Sequence, residues 1–494
     1  MKIHYTRVKK WFGFFCYFML TLVGAVSAAN VPIAQRTDTQ QKPTLLIVKP
    51  YQITVDGKTA TVYRIEQPNG TWGFHGIKGQ DFNVIVKNEI AEPTVIHWHG
   101  LLLPNSQDGV PYVTQLPILP GQEYHYDFKL VQAGTYWMHS HYQFQLQQLL
   151  SAPLIIEDPN DANKNEQNVV LLLTDFSFKK PDIIWKDLRK DEEKNKQNKM
   201  THSMSKSMAA PDLNDVKYDA YLTNYRTLTN PEVVTVKPGA VVRLRLIDGA
   251  AGSNYFIHLG SLTGTAIAAD GESIEPLKGS IFTLAMGQRL DVLVKIPEGP
   301  GVYPILAQGE GTTMQTGLIL ATSGAKIPAF SNTAATVVGA VTNAQELELK
   351  ALHPLAKKPI DRVLTVNLEG DMSQYKWTIN GQAWPNITPF EIKQGQRVEI
   401  IFNNKTSMSH PMHLHGHVFE VIEIDGKPIQ GALRDTVLLT PNSTMKVILD
   451  ADNSGNWLLH CHLLYHGAAG MMTLVDYEGY PKPDLNLIKK EDSM

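Results

Sequence analysis

A chain of 494 residues is too long for a single hydrophobic core, so two to four domains are expected. Its composition is 43% hydrophobic and 19% charged with a formal net charge of -3, which excludes the strong basic excess of a nucleic-acid-binding surface. The 36 glycines and 29 prolines suit many short strands joined by turns.

At the N-terminus Lys2, Arg7, Lys9 and Lys10 precede an apolar run over 11–26, and Val26-Ser27-Ala28 resembles a signal-peptidase site. Residues 1–28 therefore read as a signal peptide. A membrane anchor is the alternative, because the run is close to the lower length of a span. No Arg-Arg pair is present, so general secretion to the periplasm or the medium is expected, with no stable membrane span after cleavage. Cys16 lies in that segment, which leaves Cys461 as the only thiol of the mature chain and excludes an intramolecular disulfide. A lone thiol in an oxidising compartment needs protection, and a bound metal would supply it.

The body carries alternating strands such as 81–86 and 243–246, and the pattern repeats three times. A glycine followed by an alternating strand recurs at Gly79, Gly239 and Gly395. Later blocks end in Gly-Thr-Tyr-Trp-Met-His-Ser-His (134–141), Gly-Val-Tyr-Pro-Ile-Leu-Ala-Gln (301–308) and Gly-Asn-Trp-Leu-Leu-His-Cys-His (455–462). Earlier ones read Ile-His-Trp-His-Gly (96–100), Phe-Ile-His-Leu-Gly (256–260) and Met-His-Leu-His-Gly (412–416). The outer copies hold histidines where the middle copy holds Ile257 and Leu259. The expectation is an all-β chain of three β-sandwich domains with few short helices, over 30–160, 161–325 and 345–480. The stretch 323–345 reads as a linker. The densely charged stretch 179–208 reads as a helical or mobile insertion in the second domain.

Eight of the 17 histidines form four His-x-His pairs: His97/His99, His139/His141, His413/His415 and His460/His462. On a strand, residues i and i+2 face the same way, so each pair presents two imidazoles together. One such pair is more often a hydrogen-bonded core feature than a metal site. Four pairs placed symmetrically in the first and third copies point to a metal cluster, although imidazole by itself does not choose the metal. His75, His125, His202, His258, His353 and His417 lack such partners and read as structural or surface histidines. A second constellation selects copper. Cys461, His466 and Met471, with His410 from upstream, supply the two imidazoles, one thiolate and weak axial thioether of a blue-copper electron-transfer site. Cys461 lies between His460 and His462, so its side chain faces away from theirs and a few covalent bonds join the two sites.

Together the motifs His-Trp-His-Gly (97–100), Trp-Met-His-Ser-His (137–141), His-Pro-Met-His-Leu-His-Gly (410–416) and His-Cys-His-Leu-Leu-Tyr-His (460–466) resemble those of the multicopper oxidase family. The resemblance covers nearly all of the mature chain. It implies three cupredoxin-like Greek-key domains and four copper ions. His410, Cys461, His466 and Met471 would form the type 1 site, and His97 with His413 the type 2 site. One type 3 ion would take His99, His139 and His462, the other His141, His415 and His460. It further implies an oxidoreductase that takes single electrons from a small reductant and reduces O2 to water. Asp108, in Gln-Asp-Gly-Val-Pro, matches a family acid near the cluster and is the candidate proton donor; a turn aspartate in Asp-Gly is the bland alternative. Many relatives carry a carboxylate after the last type 1 histidine, where this chain has Gly467.

The chain is similar to bacterial copper-resistance oxidases in Leu-Leu-Tyr-His and in Thr174-Asp175-Phe176 followed by the insertion, which implies Cu(I) as reductant. Thioethers favour Cu(I), so Met200, Met204 and Met208 with His202, and Met408 near His410, are candidate docking residues. Methionines spaced by four are also what a packed helix face shows. Relatives specialised for Cu(I) are often richer in methionine, so a laccase-like phenol oxidase or a ferroxidase stays open. A copper-binding or storage protein is the non-enzymatic alternative, and a monomer is expected.

Overall fold

The computed structural model describes residues 42–163, 165–198 and 213–491. The signal-peptide reading of 1–28 and the docking residues Met200, His202, Met204 and Met208 lie outside the described residues. Residues 43–494 form one compact unit.

Alternation builds the sheets. In Asp81–Asn88, Phe82, Val84 and Val86 face inward while the residues between them are partly or fully exposed. Val398, Ile400 and Phe402 do the same in Arg397–Asn404, whereas in Val241–Asp248 Val242, Leu244 and Leu246 are buried together with Arg245 between the last two. Each such side chain contributes about 1.5–3 kcal/mol on burial, so an aspartate at Val84 would break the first core.

Six sheets result, two in each third of the chain. In each pair one sheet begins with an antiparallel edge pair whose inner strand runs parallel to the next strand in: Thr44–Val55 beside Asp81–Asn88, Glu166–Phe176 beside Val241–Asp248, and Arg362–Asp371 beside Arg397–Asn404. The second sheet runs Phe74–Ile77, Ser151–Glu157, Gly134–Ser140, Ile96–His99 in the first copy. The middle copy repeats this as Val233–Val236, Gln315–Thr322, Val302–Gly309, Tyr255–His258, and the third as Phe390–Ile392, Met472–Tyr477, Asn456–Cys461, His410–Leu414. This is the all-β arrangement of three sandwiches that the repeats announced, of the cupredoxin-like kind that the resemblance implies.

Register matches in the outer copies and is offset by one residue in the middle copy, where Ile257 meets Ala307 rather than Leu306. His97 stands opposite His139, Ile257 opposite Ala307, and His413 opposite His460. The segment 323–345 holds no regular strand but is tied down: Val341 N donates to Glu310 Oε1 at 2.6 Å, and Gln345 bonds both N and O of Thr283 at 2.9 Å. The insertion begins as a helix, Pro181–Asn198, which packs Ile184 inward. Among the described residues no helix is long and apolar enough to cross a membrane.

Candidate metal centre

The paired strands of the first and third copies bring all eight paired histidines to one buried place. His97 stacks on His415 at 3.8 Å between ring centroids, and His99 on His413 at 3.7 Å. Ligand atoms of His99, His139 and His462 lie within 4.8 Å of one another, as do those of His141, His415 and His460, and those of His97, His99 and His413. The sequence-expected triplets are thus adjacent in space.

Second contacts fix which ring nitrogen faces inward. His97 Nδ1 donates to the Asp108 carbonyl at 2.8 Å and His415 Nδ1 to Asp108 Oδ2 at 2.9 Å. His413 Nδ1 donates to the Asp435 carbonyl at 2.9 Å, and His99 Nε2 to Asp435 Oδ1 at 3.2 Å. His139 and His460 direct Nδ1 to the carbonyls of Ser140 and Cys461. Left over are His97 Nε2, His99 Nδ1, His139 Nε2, His141 Nε2, His413 Nε2 and His462 Nε2, all buried and without a hydrogen-bond partner. Orphaned buried acceptors are costly unless something occupies the space between them. Burial pushes His99, His139, His141, His415 and His462 well below the ordinary imidazole range, and His460 to about 3. Neutral imidazoles with their free nitrogens turned inward fit metal ions.

The second group forms beside it. His466 Nδ1 lies 3.1 Å from His410 Nδ1, and Cys461 Sγ 3.7 Å from the same nitrogen. Met471 is fully buried, its amide donating to His466 O and its carbonyl accepting from Cys461 N. The outward nitrogens are held too: Thr406 Oγ1 is 2.7 Å from His410 Nε2, and Asp215 Oδ2 is 2.9 Å from His466 Nε2. Burial pushes the Cys461 thiol up, so the free protein holds it protonated and a soft metal must displace that proton. Thiolate plus two imidazoles is a donor set suited to copper.

Asp108 is 1% exposed and serves His97 and His415 together, which joins the candidate proton donor to both copies. Met408 is buried, its carbonyl accepting from Asn404 Nδ2. His417 is structural, buried against Tyr477 with Nε2 2.7 Å from the hydroxyl. His258 is half-buried on the strand equivalent to the pairs. His75 and His125 are likewise apart from the cluster, His125 bonding Asn83.

Sequence reading missed several residues here. Asp435, Thr436, Arg289 and Asp270 back the cluster. Burial raises the Asp435 carboxyl, but the Arg289 guanidinium and the donors from His413 and His99 outweigh it and hold it well below the usual carboxylate range. Asp215 and Tyr375 back the second group, the Tyr375 hydroxyl donating to Asp215 at 2.5 Å. A usable signal was the charged doublet Arg434-Asp435 inside an apolar run, 432–439. The middle copy also touches the histidines directly. Gly287 sits at φ +87°, and a Cβ there would come 3.0 Å from His462 Cδ2 and 3.1 Å from His99 Cε1.

A cavity of about 410 Å³ reaches His139, His141, His460 and His462 from outside, with Asp182 and Trp185 of the helix Pro181–Asn198 on another wall.

Comparison with known proteins gives the same picture. Three family models, each described as multicopper oxidase, match residues 48–161, 167–336 and 358–479. A relative from Mycobacterium tuberculosis, the multicopper oxidase MmcO, is 32% identical over 406 residues, 81% of this chain and 80% of that protein. Copper resistance protein A from Escherichia coli is 26% identical over 530 residues, 81% and 87%. Among solved structures, a laccase from Botrytis aclada superposes with TM-score 0.72 at 26% identity, covering 87% of this chain and 86% of that one. Fet3p, a multicopper oxidase that functions in iron import, superposes with TM-score 0.73 at 20% identity over 88% and 90%, a likeness of fold.

Proposed function

This chain belongs to the multicopper oxidase family, a copper-dependent oxidoreductase family using O2 and a reductant, and on that premise we propose how its residues divide the work. Four copper ions are held: a type 1 ion by His410, Cys461, His466 and Met471, a type 2 ion by His97 and His413, and two type 3 ions by His99, His139 and His462 and by His141, His415 and His460. The domain limits are those set out from the repeats, 30–160, 161–325 and 345–480. The single observation that carries the reading is the placement of Cys461 between His460 and His462, with the His410 and His466 nitrogens on one side and the paired histidines gathered on the other.

When bound, the coppers supply one-electron exchange with the reductant and four-electron reduction of O2 to water. The protein's own part is positional. The peptide from Cys461 to its two neighbours is the shortest covalent path between the two groups. Asp108 holds His97 and His415, with Oδ1 3.2 Å from His97 Nδ1, which places this candidate proton donor against the cluster. The cavity of about 410 Å³ gives a small molecule access to the imidazoles.

For the reductant we favour Cu(I) in copper tolerance, supported by the likeness to proteins named for copper resistance and by the Met200, His202, Met204, Met208 and Met408 set. Asp215 supports a second reading. A carboxylate 2.9 Å from the outward nitrogen of His466 suits a phenol, whose proton it accepts, or Fe(II), which it attracts. Export to the periplasm or medium, and a monomeric state, complete the proposal.

The test is copper stoichiometry with electron paramagnetic resonance, then O2 uptake with Cu(I), Fe(II) and dimethoxyphenol. Deleting 200–208 should lower the Cu(I) rate alone, and Asp215→Asn should lower the phenol and Fe(II) rates. A loaded protein with far fewer than four coppers would overturn the assignment, and an unchanged Cu(I) rate after the deletion would remove the docking role.

A further inference from the structure

The two carboxylates behind the paired histidines are used alike. Asp108 offers its carbonyl to His97 and its side chain to His415, and Asp435 offers its carbonyl to His413 and its side chain to His99. They differ in what stands behind them. Asp108 has no cation within ion-pair distance among the described residues, whereas Asp435 faces Arg289, a fully buried residue of the middle sandwich.

Every N–H of that guanidinium is used. Nη1 donates to Asp435 Oδ1 at 2.8 Å and to the Gly287 carbonyl at 3.1 Å. Nη2 donates to Asp435 Oδ2 at 2.6 Å and to the Asp270 carbonyl at 2.9 Å, and Nε to the Thr135 carbonyl at 3.2 Å. The fork therefore reads all three copies at once: Thr135 from the first, Gly287 and Asp270 from the middle, Asp435 from the third. Gly100, directly after His99, is at φ +88°, and a Cβ there would collide with Arg289 Nη2. A planar five-donor fork can fix a carboxylate's orientation as a point charge cannot. The orientation matters because Asp435 accepts from His99 Nε2, so His99 must turn Nδ1 inward, whereas His97, His139, His413, His415 and His460 all direct Nδ1 to protein oxygens.

We propose that Arg289 is a positioning residue supplied by the middle sandwich, which contributes none of the ligand histidines, fixing Asp435 so that His99 and His413 present Nδ1 and Nε2 respectively to the metals. The inference rests on the ligand reading above. Partners of this kind, behind the ligands, typically change metal affinity 10–100-fold.

Arg289→Lys and Arg289→Gln are compared with the parent as copper-loaded full chain and as apo-protein. Both variants should keep the blue band, because Arg289 contacts none of the type 1 residues. After dialysis against a chelator they should retain about three coppers instead of four, with the type 2 resonance signal reduced at least about tenfold. In the apo-protein, nitrogen-15 spectra should show His99 protonated on Nε2 in the parent and no longer fixed in that form in the variants. Full retention of the type 2 signal with an unchanged His99 tautomer in a folded variant overturns the proposal. If neither variant folds, the isosteric Asp435→Asn takes their place: the same copper loss supports the proposal and full retention overturns it. A parent that shows no type 2 signal would instead overturn the ligand reading itself.

Discussion

The middle sandwich and its two neighbours are built on one plan and hold different chemistry. Tyr255–His258 lies against Val302–Gly309 as Ile96–His99 lies against Gly134–Ser140 and His410–Leu414 against Asn456–Cys461. At matching positions the outer copies carry His97 and His413 and the middle copy Ile257, all three buried. The backbone thus does not dictate a metal site; it fixes where two side chains on adjacent strands meet, and the side chains decide what happens there. The middle copy lost the ligands and kept a share of the site through Gly287 and Arg289.

The comparison breaks most sharply at Cys461, where the middle copy has Ala307. Cys461→Ser should abolish both the blue absorption and turnover, measured on the same preparation; colour surviving would remove the type 1 assignment. Next comes the paired set. His97→Ala with His413→Ala should leave the blue band and reduce O2 uptake to background in an oxygen electrode. Normal uptake would mean the cluster lies elsewhere.

Restoring histidine to the middle copy sharpens the comparison from the other side. Ile257→His with Leu259→His restores the two imidazoles, the first of them opposite Ala307 instead of a histidine. The double variant should bind no extra copper and should lose about 1–3 kcal/mol per unpaired imidazole. Metal analysis and thermal unfolding decide it: one additional bound copper would show that the pair alone suffices.

How much of this was legible follows from what each residue shows in a string of letters. The histidine pairs and Cys461 announce themselves, because one pair at a spacing of two is ambiguous but four of them repeated in the outer copies are not. The three sandwiches were legible for the same reason, through glycines and alternation. Arg289 and Asp435 are common residues 146 positions apart, and nothing in spacing links them; only folding makes the fork meet the carboxylate. Arg289 follows Gly287-Gln288 where the first copy has Gly121-Gln122-Glu123, and that glutamate is exposed while the arginine is fully buried. A charge opening an apolar strand was the only hint. Asp215 and Tyr375 lie 160 residues apart and gave no pattern at all.

The smallest effect tests whether the middle copy keeps buried charge for structure alone. Glu310 is 2% exposed, accepts from Asn254 Nδ2 and Val341 N at 2.6 Å each, and has no cation partner among the described residues. Burial raises its carboxyl to about 7, against the two hydrogen bonds that pull it down. The folded state then holds a proton that the unfolded chain releases near its ordinary 4.5, so this contribution is fully present below about pH 4.5 and is lost as pH rises through 7. The span corresponds to about 3 kcal/mol at most. Glu310→Gln removes the titration while Asn254, facing an amide instead, adds an offset that does not vary with pH. Between pH 5 and pH 8 the melting temperature of the parent relative to the variant should therefore fall, on the order of 5 °C for a domain of this size. A difference that stays flat, or runs upward with pH, would mean that Glu310 is ionised throughout and that an unseen positive partner stands beside it.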